Sequence, residues 1–160
     1  MPAPTTEDAH LYIQLLNTFQ QPDLFQDWNW TTFTLKAGSL KELDQQHPAG
    51  SADRSRLMRV ILFYESVGAL VSRGLVHEDL FFDQPLGFDA FWEKTGPLVQ
   101  DWIKHGSDDA FAENVVWLAA RNLKWRETVW RPKSEAIPTD RPPTKQWGES
   151  GEHHVGFAKT

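Results

Sequence analysis

The sequence predicts an all-α single domain, a bundle of about five or six helices around a central apolar helix, with an extended C-terminal tail. Three observations predict it. Apolar residues recur at helical spacing through most of the first 130 positions, punctuated by capping residues and helix stops. The stretch from Leu57 to Leu75 is apolar on nearly all sides, as a buried central helix must be. The only segment rich in strand formers, Trp30 to Leu35, has no second strand in the sequence to pair with.

The first helix opens on Thr5 and Thr6 as N-caps, with Glu7 and Asp8 at the positive end of its dipole. Ala9, Tyr12, Ile13, Leu16 and Phe19 carry its apolar face until Pro22 ends it. Asp23 caps a second, short helix bearing Leu24, Phe25 and Trp28, and Trp30 to Leu35 reads as irregular. Ser39 and Glu42 have the capping-box spacing and open a short helix that stops before Pro48. Residues 47–53 form a loop by their Pro and Gly content. From Arg54 the central helix runs to a glycine stop near Gly74, with Leu57, Val60, Ile61, Tyr64, Val67, Val71 and Leu75 on one broad face. His77 to Asp83 reads as a turn. A helix from about Gly87 to His105 follows, with a kink expected at Gly96-Pro97. Ser107-Asp-Asp caps the last helix, in which Phe111, Val115, Leu118, Trp125 and Val129 keep helical spacing until Pro132. The helical domain is thus residues 1–131. Residues 132–160, with four prolines, three glycines and no periodicity, are the tail.

Composition narrows the function classes. The 160 residues fit one domain with one core. The absence of cysteine removes disulfides, thiol chemistry and Cys-ligated metals. Residues 1–8 have no basic region or apolar core of a secretory signal, so the expected location is cytoplasmic. Arg59, Glu65 and Arg73 interrupt the most apolar stretch, so no membrane span is expected. Charge is uneven. Residues 1–120 hold 8 basic and 17 acidic side chains, whereas 121–160 hold 8 basic and 5 acidic. An acidic body argues against nucleic acid as the partner. Three of the eight tryptophans, Trp117, Trp125 and Trp130, fall close together near the basic end.

The run from Phe63 to Asp83, Phe-Tyr-Glu-Ser-Val-Gly-Ala-Leu-Val-Ser-Arg-Gly-Leu-Val-His-Glu-Asp-Leu-Phe-Phe-Asp, resembles the signature of a bacterial family of unknown function, number 4760. A Trp-bearing segment, Phe91 to Leu98, matches the helix that follows in that family. The resemblance spans roughly residues 8–125. It implies a small all-α protein and carries no assigned activity, cofactor or catalytic residue.

Glu65 is the polar anomaly of the central helix, because a carboxylate on an apolar face must be paired or protonated. It reads either as a general acid or metal ligand in an inter-helical pocket, or as the structural partner of an arginine or of the 30–35 backbone. His77, Glu78, Asp79 and Asp83 form a ligand-like cluster without a metal motif, and acidic caps explain them as well. No dinucleotide fingerprint, phosphate loop or nucleophile elbow is present, so no cofactor is expected. Arg121, Lys124, Arg126, Arg131 and Lys133 interleave with Trp125 and Trp130, a pattern suited to surface contact. Trp125 is expected in the core. Arg126, Trp130, Arg131, Ile137, Trp147 and Phe157 are the candidate contact residues, spaced as anchors of an extended segment. The expected function is a non-enzymatic interaction module, or small subunit, docking a protein partner or a second copy through this end. One alternative is a ligand binder or enzyme using Glu65, and another is a nucleic-acid or membrane-surface contact through the basic end.

Overall fold

The structure, a computed structural model, describes residues 3–106 and 111–129. Among them are seven helices and no strand: α1 (Thr6–Phe19), α2 (Pro22–Phe33), α3 (Leu40–Gln46), α4 (Ala52–Ser72), α5 (Glu78–Asp83), α6 (Phe88–His105) and α7 (Glu113–Thr128). The all-α expectation holds. So does the central position of α4, which packs against both α2 and α7. α2 also lies on α6, α3 packs on α6, and α5 bridges α1 and α7.

Several boundaries follow from the caps that the sequence offers. Thr5 Oγ1 accepts from the Asp8 N–H at 3.2 Å, and Asp8 Oδ2 accepts from the Thr5 N–H at 2.8 Å, closing a capping box on α1. The Thr5 hydroxyl, which donates to Asp8 Oδ2 at 2.5 Å, and then the Thr5 N–H hold the Asp8 carboxyl below the usual aspartate range. Ser39 and Ser51 cap α3 and α4 through the N–H groups of Glu42 and Arg54. At the end of α4, Gly74 takes φ +68, its N–H bonds Val71 O, and Leu75 N–H bonds Leu70 O. That pair of bonds is the Schellman arrangement, and it closes the helix where a glycine stop is expected.

Three expectations are corrected. Residues 30–33 are not irregular; α2 continues through them to Phe33. Its threonines are weak helix formers in isolation, but Thr31 and Thr32 are buried, and packing outweighs propensity. Residues 78–83 are a short helix rather than a turn, with the His77 ring accepting the Asp79 N–H as its cap. Leu75 does not continue the α4 face; it lies past the Gly74 stop and is exposed. The helix around Gly96-Pro97 runs on from Phe88 to His105.

The core centres on Tyr64. Its ring meets Phe88 at 5.1 Å and Phe91 at 4.7 Å, and its hydroxyl donates to Leu86 O at 2.7 Å. Burial pushes this phenol well above the usual tyrosine range. Gly87, at φ +75, precedes α6 where a Cβ would stand 2.6 Å from the Trp28 indole. No side chain fits there.

Candidate functional site

α7 begins without a cap of its own. Ala112 occupies the N-cap position at φ +57 and offers no side-chain acceptor. The first N–H groups of a helix need partners from somewhere. They find them 49 residues upstream, on α4: Glu65 Oε1 accepts from the Asn114 N–H at 3.2 Å and from Asn114 Nδ2 at 2.6 Å, and Oε2 accepts from the Val115 N–H at 3.0 Å. A carboxylate at a helix N-terminus satisfies both the orphan donors and the dipole. The anomaly on the central helix is therefore an inter-helical cap. Neither of its expected structural partners, an arginine or the 30–35 backbone, makes these bonds.

One turn along α4, Gly68 lets the two helices touch. A Cβ there would lie 2.5 Å from Asn114 O and 2.9 Å from Asn114 C, so only glycine permits this crossing. Glu65 and Gly68 share a face by their i, i+3 spacing.

Further along α7, carboxylates from α5 and α6 continue the seam. Glu78, buried at the start of α5, takes both Arg121 Nε and Nη2 at 2.6 Å in a bidentate pair. The bond to Glu78 raises the Arg121 guanidinium above its usual range. Asp79 Oδ1 accepts the Trp125 indole N–H at 2.6 Å. Asp89, in the first turn of α6, accepts from Asn122 Nδ2 at 2.6 Å and from Arg126 Nη2. Beneath this polar edge Val115, Leu118 and Trp125 are buried in the core, as expected for Trp125. Four carboxylates and one glycine thus fix a single helix.

The outer side of α7 is different. Trp117 and Leu123 are exposed there, with Leu123 at 62 %. Val129 is not buried as its spacing suggests; it is the C-cap of α7, 45 % exposed, at the rim of a cleft it shares with Trp125 and α5.

Three clefts open on the surface, the third at the edge of this seam. One of about 620 Å3 lies between α3 and α6, lined by Leu40, Lys41, Asp44, Asp101 and His105 among others. In it Asp101 Oδ2 accepts the Leu40 N–H at 2.8 Å, and its Oδ1 lies 3.1 Å from His105 Nδ1. A second, of about 330 Å3, is bounded by Thr5, Asp8, Leu75 and His77, and a third by Asp79, Leu80, Asp83 and Trp125. Glu65 lines none of the three. Among the described residues no group of three His, Asp or Glu side chains is arranged to hold a metal, and no helix is long and apolar enough to cross a membrane.

Of the expected contact residues, Arg126 is exposed but holds Asp89 and lies 3.4 Å from Asn122 Oδ1. Trp130, Arg131, Ile137, Trp147 and Phe157 lie outside the described residues, as does the tail 132–160, and the expectation that Ser107 caps the last helix is corrected, because α7 starts at Glu113 with Ala112 as its N-cap. Sequence reasoning missed Gly68, Asn114 and Asp89 altogether. The signal for the first was present: a glycine three residues after an isolated carboxylate, inside a helix of otherwise large side chains.

The profile of a family described as a domain of unknown function, DUF4760, matches residues 5–125. No curated protein and no solved structure matches the chain. The matched span contains every residue of the α7 seam except Arg126, and the segment that carries the resemblance supplies Glu65, Gly68, Glu78 and Asp79, the groups that grip α7. By this match the chain belongs to the DUF4760 family.

Proposed function

We propose that this protein is a non-enzymatic helical interaction module, a small subunit that meets a protein partner through α7 and the basic, Trp-containing end that follows it. One observation carries the reading: α7 is gripped along its inner side by Glu65, Glu78, Asp79 and Asp89 while its outer side exposes Trp117 and Leu123. A rigid helix with apolar side chains turned to solvent is pre-organised for contact, because little order remains to be imposed on binding. The segment continuing from it, Arg126 to Phe157, adds cations and the isolated anchors Trp130, Ile137, Trp147 and Phe157. Charge attraction to an acidic surface steers such an encounter but is screened at physiological salt, so the anchors supply most of the affinity.

Use of Glu65 as an acid or ligand competes with its capping role, since both of its oxygens already accept bonds from Asn114 and Val115. The test compares the full chain with one ending at Arg131 by sedimentation, partner pull-down and thermal melting. Loss of a partner, or of assembled mass, on truncation is the expected result. If mass, partners and melting temperature are all unchanged, docking through residues 132–160 is refuted.

A further inference from the structure

We infer that the outer face of α7 is a two-fold interface for a second copy of this chain; the inference deepens the proposed function by naming the partner. Val116, Ala120 and Leu123 follow one another at spacings of four and three, the seam of a helix pair. Ala120 and Leu123 are exposed, Val116 and Ala119 are half-buried and also touch this chain's own core, and exposed Glu127 ends the apolar run four residues after Leu123. Nothing on this face is drawn into the polar grip, which acts through Asn114, Arg121, Asn122, Trp125 and Arg126.

The pattern is self-complementary when a second α7 lies antiparallel across it. Placing Val116 opposite Leu123 of the second copy sets Ala119 opposite Ala120 and repeats the first contact on the other side. A large apolar residue then meets a medium one at each end, and alanines meet at the crossing. Small residues there allow the axes to approach to about 8 Å. In an antiparallel pair each flank faces the same flank of its partner. Glu113 and Lys124 share one flank, and in this register Glu113 of one copy comes within a turn of Lys124 of the other, twice by symmetry. Both side chains are exposed and available for this contact. An antiparallel second copy presents Lys124 to Glu113 and Glu113 to Lys124, a charge match that this flank makes with itself.

A single helix pair buries less than a standard interface, so association is expected in the micromolar range. The experiment is sedimentation of the full chain over a concentration series, with circular dichroism to confirm that each variant is folded. The wild type is expected to pass from monomer to dimer as concentration rises. Leu123→Glu, at an exposed position, remains monomeric. Glu113→Lys sets Lys against Lys at both ends and weakens the dimer about tenfold, and adding Lys124→Glu to it restores association. This charge pair keeps the test decisive if Leu123→Glu does not fold. A wild type that stays monomeric throughout overturns the inference, as does dimerisation untouched by Leu123→Glu and Glu113→Lys. Should the dimer survive Leu123→Glu but vanish in the chain ending at Arg131, the tail is the contact; α7 is then refuted while the proposed function stands.

Discussion

Gly68→Ala is the most discriminating single change in the α4–α7 crossing. The added Cβ would sit 2.5 Å from Asn114 O, and ordinary contact begins near 3.4 Å, so α7 must retreat by the difference, 0.9 Å. The obstacle is backbone and cannot rotate away. The same retreat lengthens the Glu65 bonds to the Asn114 and Val115 N–H groups, now 3.2 and 3.0 Å, beyond hydrogen-bond range. Overpacking costs about 1–3 kcal/mol and the lost cap about 1 kcal/mol, against a gain of about 1 kcal/mol from replacing glycine within a helix. The expected balance is a loss of about 2 kcal/mol. Urea unfolding followed by circular dichroism reads it directly. A variant as stable as wild type, or more stable by the alanine's helix propensity, would refute the close crossing.

Further outcomes follow from other contacts. Arg121→Met leaves the buried Glu78 carboxylate unpaired and is expected to cost about 2–4 kcal/mol; a chemical melt shows it, and an unchanged midpoint would deny the bidentate pair. Thr5→Ala opens the capping box of α1 and should lower stability by about 1 kcal/mol in the same assay. Because the folded-state value of Asp8 is depressed, its contribution is complete above the unfolded value and disappears as pH falls through the folded one. Wild type should therefore lose stability below about pH 4 more steeply than Thr5→Ala, and parallel acid profiles would contradict the assignment. Tyr64→Phe removes the bond to Leu86 O and is expected to cost about 1 kcal/mol with the fold retained, as judged by its dichroism spectrum.

Periodicity and caps made most helices legible, because Thr5, Ser39 and Gly74 act within a turn of their own sequence neighbours. Where the sequence misled, distant packing decided. Thr31 and Thr32 favour extended backbone locally, yet both are buried in α2. The 78–83 segment looked like a turn because His77 is an unusual cap and the helix has only six residues. Glu65 was recognisable as misplaced on an apolar helix, but its partner was not, since nothing near Asn114 announces that its helix borrows a cap from 49 residues away. The outer face of α7 was hidden for a related reason: apolar residues there resemble core by spacing alone, and only exposure separates Leu123 from Leu118.

Native-state hydrogen exchange at the start of α7 tests most directly the claim that Glu65 holds this helix rather than performing chemistry. In Glu65→Ala the amides of Asn114 and Val115 lose their acceptors, so their exchange should quicken by at least tenfold, while Val60, Ile61 and Tyr64 in the core keep the protection that the variant's global stability allows. Equal protection of Asn114 and Val115 in the variant and the wild type would contradict the account.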